Sequence, residues 1–265
     1  MNYENKLAFI TGGSTGIGLA IATALAIEKC TVVLFARDTT KLQQAKDAIQ
    51  NKVSSSVHIF SADMSDYSAA KLVLEEAVAQ IGIPDILVNC VGIARPDYFE
   101  NISPQQFDFT IKTNLYSMWN SNSILVPYMK KRGGHIINTS SIAGFIGVFG
   151  YTDYSMTKFG IIGFSEALRS ELKKYKITVQ VLCPPDTDTP GFEEENINKP
   201  EETKAIGGKA KLMQPETVAK EVLQKLGKNT FILLPGFDGK MSWRLKRFFP
   251  KLIEWIMDNS INKAK

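Results

Sequence analysis

The sequence predicts an α/β fold: one parallel sheet, doubly wound, with helices on both faces in three α/β/α layers. Three observations carry this. Short apolar runs alternate with segments of helical character along most of the chain. A glycine-rich loop, Thr11-Gly12-Gly13-Ser14-Thr15-Gly16-Ile17-Gly18, sits directly between the first such run and the first helical segment. The length, 265 residues, suits one large domain with ordinary apolar and charged content. The fold expected is therefore Rossmann-like and single-domain, with ligands beyond the carboxyl ends of the strands.

The elements follow in order. LAFIT (7–11) reads as a strand, GIGLAIATALAIEK (16–29) as a helix and the β-branched TVVLFA (31–36) as a strand. KLQQAKDAIQNK (41–52) is helical, VHIFSAD (57–63) a strand, AAKLVLEEAVAQIG (69–82) an amphipathic helix and DILVNCVG (85–92) a strand entering a loop. Ser103-Pro104-Gln105-Gln106 has the form of a capping box with proline at the first helical position, opening a helix toward 130. HIINTSS (135–141) is a strand, 153–174 a helix and ITVQVLC (177–183) a strand. A long charged loop, a helix near 215–226 and a last strand TFILLP (230–235) complete the domain, 1–239.

Composition narrows the function. Cys30, Cys90 and Cys183 are scattered without a CxxC pair, which argues against a disulfide framework or a zinc site and suits a reducing compartment. MNYENKLAFITGG enters the first strand almost at once, and no apolar run approaches the ~20 residues of a membrane span. A cytoplasmic protein is expected. Residues 240–265 carry seven Lys/Arg against Glu254 and Asp258, a net +5 of the chain's +4, which leaves the body at −1. That balance argues against nucleic-acid binding. His58 and His135 follow no ligand spacing, and no metal is expected.

The glycine loop offers a tight turn and a free helix N-terminus to a pyrophosphate. Its spacing, G-x-x-x-G-x-G, is wider than the usual dinucleotide fingerprint, and no G-K-[ST] marks a P-loop. The second strand ends Phe35-Ala36-Arg37, with Lys41 one helical turn on. An arginine there suits a 2′-phosphate and favours NADPH over NADH, and Asp38 reads as a helix cap.

Thr11–Gly18, Asn89-Cys90-Val91-Gly92, Asn114, Ser141 and Tyr154-Ser155-Met156-Thr157-Lys158 together resemble the short-chain dehydrogenase/reductase family over about residues 5 to 236. YxxxK alone is a weak pattern. The ordered set, with Ser141 thirteen residues before Tyr154, is specific. The resemblance implies that Tyr154 is the general acid and that Lys158 tunes it and holds the nicotinamide ribose. It implies that Ser141 bonds the substrate carbonyl and Asn114 supports a proton relay. Asp63 would meet the adenine ring and Asn89 steady the sheet at the cofactor site. Physically, a phenol of pKa ~10 needs help near neutrality, and a lysine four residues on lies beside it and favours tyrosinate. Dimers or tetramers through 104–130 and 153–174 are also implied.

The loop after the sixth strand, CPPDTDTPGF, departs from the family's P-G-x-x-x-T: Pro185 replaces the glycine, and Thr189 keeps its place against the carboxamide. With the following EEN and KPEET, and with FGYTDYSMTKFGIIGFSEAL, it resembles the 3-ketosphinganine reductases within the family. These are NADPH-dependent, and the eukaryotic members carry an N-terminal membrane segment not seen in this sequence. A long-chain keto-lipid substrate is thus expected, with 3-oxoacyl thioesters, sterol-like ketones or a non-catalytic NADPH-binding role as alternatives. Phe145–Tyr151 would supply an apolar wall, and residues 185–213 a lid. An acid among Glu193, Glu194 and Glu195, or Asp186, would meet the substrate ammonium. The tail, 240–265, mixes aromatic and basic residues, and peripheral membrane contact, a partner subunit or cover of the slot are its expected roles.

Overall fold

The computed structural model describes residues 2–207 and 212–264. Among them, seven parallel strands form one sheet in the order β3-β2-β1-β4-β5-β6-β7. The strands are β1 Leu7–Thr11, β2 Thr31–Ala36, β3 Val57–Ser61, β4 Ile86–Asn89, β5 Gly134–Thr139, β6 Ile177–Leu182 and β7 Ile232–Leu233. β1 pairs with β2 on one side and β4 on the other, so the winding reverses beside β1 and opens a crevice at its carboxyl end.

Helices α1 Gly16–Ile27, α2 Thr39–Gln50 and α9 Pro215–Lys225 cover one face, against Ala8, Ile10, Leu34 and Val88. Helices α3 Tyr67–Gln80 and α5 Ser117–Met129 cover the other, against Phe9, Val33, Phe35 and Leu87. The alternation of neighbouring β1 and β2 residues between these two cores is the period of two a strand imposes. Asp38 caps α2 by accepting from Lys41 N at 3.0 Å, as a cap reading of that residue requires.

The helix opened by Ser103 is not continuous. α4 Pro104–Ile111 passes through a π-helical segment, Lys112–Tyr116, before α5. Ser103 accepts from Gln106 N at 3.1 Å, but the Gln106 side chain donates to Arg95 O, so the capping box is only half made. The last strand is shorter than TFILLP, because only Val181 and Leu182 pair with it and Gly236 already begins α10 Gly236–Phe248. The long loop after β6 carries two helices, α7 Pro190–Glu195 and α8 Glu201–Gly207. Positions 208–211 of the expected lid lie outside the described residues. Helices α6 Thr152–Leu172 and α11 Pro250–Asn262 complete the chain. The basic tail packs on the domain: Trp243, Ile253 and Met257 join Phe145, Ile146, Cys183 and Leu234 in a third apolar cluster.

A polar seam crosses the middle of the sheet. Asn138 Oδ1 accepts from Asn89 Nδ2 at 2.8 Å and Asn122 Nδ2 at 3.1 Å, while its amide donates to Ser165 Oγ at 2.9 Å. All four residues are buried. Replacing Asn138 by Ala strands the buried Asn89 amide and Ser165 hydroxyl, each worth roughly 1–3 kcal/mol when unsatisfied, while Asn122 keeps its bond to Met118 O at 2.8 Å. Asn138→Ala is expected to lose about 2–4 kcal/mol in urea unfolding, and a loss below 1 kcal/mol would show that the seam is dispensable.

Candidate active site

Tyr154 and Lys158 lie one turn apart on α6, and the Lys158 ammonium stands 5.4 Å from the Tyr154 ring centroid. Lys158 is buried, 3% exposed, with no carboxylate in its salt-bridge range among the described residues. Its Nζ donates to Thr139 O, at the end of β5, at 3.1 Å. The turn that carries Ser141 docks on the same stretch of α6: Ser140 Oγ donates to Lys158 O at 2.8 Å. A Cβ on Gly144 would lie 2.8 Å from that carbonyl oxygen, so only glycine lets the turn approach. Ser141 opens this short turn by accepting from Ala143 N at 3.1 Å.

Asn114 sits in the π-helical segment, a local widening often found at functional sites. Its side chain clamps the loop after β4 by accepting from Ile93 N at 2.8 Å and donating to Ile93 O at 2.9 Å. The same amide donates to Thr157 Oγ1 at 3.1 Å, beside Lys158. Asn114, Ser141, Tyr154 and Lys158 thus converge from three elements.

The electrostatics differ from the simple expectation that Lys158 draws the Tyr154 phenol down. Burial pushes Tyr154 well above the ordinary tyrosine value, Glu195 adds to this, and the Ser141 hydroxyl works against it. Lys158 is itself brought down to about 8 by burial, with Cys90 and Cys183 opposing that. A dry pocket disfavours both charges, and the ammonium is the weaker influence for it. Cys183 is fully buried and pushed up to about 12, mainly by burial, so it is an inert thiol.

The glycine loop fits a dinucleotide. Gly12 takes φ 70°, and a Cβ there would lie 2.8 Å from the Cys90 carbonyl carbon. Gly18 has no room either, since its Cβ would fall 2.2 Å from Gly12 O. Thr15 begins α1 in extended conformation without a side-chain cap, which leaves the helix N-terminus open to an anion. Ser14, Gly16 and Ile17 are half-buried around it. A Cβ on Gly16 would meet Thr189 Cγ2 at 3.1 Å, so the loop after β6 packs directly against the glycine turn. Thr189 also caps α7, its Oγ1 accepting from Phe192 N at 3.2 Å.

Arg37 and Lys41 are exposed at the end of β2 and the start of α2 and join no salt bridge among the described residues. Asp63 folds back on its own turn, with Oδ1 accepting from Ser65 N at 2.9 Å and Ser65 Oγ at 2.7 Å. Asn89 turns into the polar seam, accepting from Thr11 at 3.2 Å and Ser121 at 2.6 Å, so its side chain braces the sheet beneath the site.

Of the residues gathered on the lid side of Tyr154, Tyr151 and Glu195 were among the sequence candidates and Lys199 was not. The Tyr151 ring stands 5.6 Å from that of Tyr154, and its hydroxyl donates to Glu195. Lys199 pairs with Glu195 at 2.9 Å. Of the three consecutive acids, Glu195 alone turns inward; Glu193 and Glu194 are exposed. Loss of hydration pushes the Asp186 carboxyl up, with Lys199 opposing and Glu195 adding. The one legible signal was the Glu195–Lys199 spacing of four. Phe145 packs edge-on to Trp243 at 5.0 Å, so part of the expected apolar wall is spent on the tail.

The family model described as short chain dehydrogenase matches residues 6–200. This chain belongs to the short-chain dehydrogenase family. It is 40% identical over 237 residues to a 3-dehydrosphinganine reductase of Danio rerio, covering 88% of this chain and 71% of the relative. It is 35% identical over 185 residues to a 3-oxoacyl-[acyl-carrier-protein] reductase of Escherichia coli, covering 69% of this chain and 74% of that one. Among solved structures, L-sorbose reductase from Gluconobacter frateurii, complexed with NADPH and L-sorbose, superposes with a TM-score of 0.73 at 27% identity, over 83% and 89% of the two chains. As a short-chain dehydrogenase the protein is a nicotinamide-dependent oxidoreductase, and the close-packed glycine turn at the uncapped start of α1 suits that cofactor.

Burying the Lys158 ammonium costs stability wherever the folded protein still has to charge it. With the folded value near 8 and the unfolded one at the ordinary lysine value, the penalty is full below pH 8 and fades as pH rises beyond both. Lys158→Met is therefore expected to lose turnover yet melt higher than the parent at pH 7 without cofactor, by about 3 kcal/mol at most. The gap should close between pH 8 and 10.5. A melting difference that does not change with pH would contradict this origin.

Proposed function

We propose that this enzyme reduces the ketone of 3-ketosphinganine to sphinganine with NADPH, a step of sphingolipid base synthesis. The observation that carries this reading is the extent of the likeness: 40% identity over 237 residues, 88% of this chain, to the 3-dehydrosphinganine reductase, against 35% over 185 residues, 69% of this chain, to the acyl-carrier-protein reductase.

When bound, the nicotinamide supplies a hydride to the carbonyl carbon. Tyr154 gives its phenolic proton to the carbonyl oxygen, which becomes the alcohol. Ser141 donates to that oxygen and orients it. Lys158 places a positive charge beneath the phenol, which favours the tyrosinate left behind. Asn114 holds the Ile93 loop and Thr157 in register so that a water-linked path can return the proton. The preference for NADPH rests on Arg37 and Lys41, two cations at the end of β2 where an acid would select the 2′-hydroxyl.

Two further features belong to this reading. Phe107, Tyr116, Trp119, Met156 and Phe159 are exposed on α4, the π segment, α5 and α6, which supports self-association through those helices. No described helix is long and apolar enough to cross a membrane. The tail does present Phe248, Phe249 and Trp255, each at least 60% exposed, among Lys246, Arg247 and Lys251. That composition suits contact with anionic lipid. Residues Phe145, Phe159, Ile162 and Trp243, with Lys246 and Arg247, line an adjoining cleft of about 280 Å³.

NADPH oxidation should follow addition of 3-ketosphinganine and not of acetoacetyl thioester, with NADH a poor substitute. Tyr154→Phe should lower kcat by roughly 10²–10⁴-fold. Preferential turnover of the thioester would overturn the substrate assignment. In liposome flotation, replacing Phe248, Phe249 and Trp255 by Ser should release the protein from anionic vesicles. Equal flotation of the two forms would dismiss the tail as a membrane contact.

A further inference from the structure

The hydride chemistry makes no use of the ion pair between Glu195 and Lys199. It bridges the break between α7 and α8 at 2.9 Å, with side chains 15% and 7% exposed. An exposed pair at this spacing contributes little, and a buried one must offset the loss of hydration of both charges. Its surroundings point to recognition. The Lys199 ammonium lies 4.5 Å from the Phe192 ring centroid and 5.9 Å from that of Tyr151. The Tyr151 hydroxyl donates to the same carboxylate. One carboxylate, two aromatic faces and an orienting hydroxyl make a primary-ammonium site, and the chain fills it with its own lysine. That site adjoins the chemistry, since Tyr151 packs against Tyr154 at 5.6 Å.

The place of α8 does not depend on Lys199. α8 stays anchored by Thr203 Oγ1, which donates to Phe149 O at 2.8 Å, and by Tyr98, whose hydroxyl donates to Glu202 at 3.0 Å.

We infer that Glu195 is the amine-recognising group of the substrate slot and that Lys199 is its resident counter-ion, displaced when a substrate's primary ammonium binds. The inference rests on the amino-ketone reading above and deepens it. The empty slot is thereby kept from presenting an unpaired carboxylate beside Tyr154, and a ketone without an amine has nothing to offer in exchange for Lys199. Lysine suits the role better than arginine, because a single ammonium on a flexible stem releases a carboxylate more readily than a two-pronged guanidinium.

The test is calorimetric binding of octylamine and 1-octanol to the NADP⁺-loaded protein. It is read beside the ratio of kcat/KM for 3-ketosphinganine to that for the same ketone without its amine. Glu195→Gln is expected to lower both the octylamine preference and the kinetic ratio at least tenfold. Lys199→Met is expected to raise both several-fold, and Lys199→Arg to lower both. The double variant, which removes the pair without stranding a charge, should match Glu195→Gln. If Lys199→Met fails to fold, Lys199→Arg and the double variant still decide. An amine preference unchanged in Glu195→Gln, or lowered in Lys199→Met, overturns the inference while leaving the substrate assignment intact. Octylamine preference with turnover of neither ketone would do the reverse.

Discussion

A buried ammonium with no carboxylate beside it among the described residues is the constraint on which this site depends. Lys158 is held by a strand-end carbonyl, Thr139 O, and by the π-face of Tyr154, neither of which neutralises it. The structure around it can be read as the means of keeping it there. Ser140 bonds its backbone, Gly144 lets the serine turn reach α6, and Asn114 ties the adjoining Thr157 to the loop after β4. Gly92 leaves room for the ammonium, since a Cβ there would stand 3.1 Å from Nζ. Stability is given up locally so that a positive charge remains in a dry place where an alkoxide or tyrosinate will develop.

Around that charge the fold separates two tasks. The cofactor side is built from backbone: glycines that permit close approach, an uncapped helix start, and a facing loop stiffened by Pro184 and Pro185. The substrate side is built from side chains on elements added after β6. The end of α7 and the turn leading to α8 carry Glu195 and Lys199 over Tyr151. The C-terminal helices close the outer wall through Trp243 and Ile253.

The polar seam of Asn89, Asn122 and Asn138 links the two tasks. It lies inside the sheet just beneath the carboxyl ends of β4 and β5, from which the Asn114-clamped loop and the serine turn emerge. Hydrogen bonds of fixed geometry there set where those loops leave the sheet, which apolar packing alone would leave free to slide.

The alternation of strands and helices, the glycine turn between β1 and α1, and the spacing of Asn114, Ser141, Tyr154 and Lys158 were legible in the sequence. Those features depend on local spacing: apolar runs of strand length, glycines where a side chain would clash, and a tyrosine and lysine one helical turn apart. It did not reveal the π segment at Asn114, because such a widening follows from packing of α4 and α5 against the Ile93 loop and has no local signature. It suggested that Lys158 would lower the Tyr154 phenol, which is true of the pair in water; burial reverses the balance, and burial is a property of the whole fold. It left Glu193, Glu194, Glu195 and Asp186 as equal candidates for the substrate's amine. Only the tertiary structure turned Glu195 inward onto Tyr151 and Lys199, because which face of a six-residue helix meets the slot is decided by what the helix packs against.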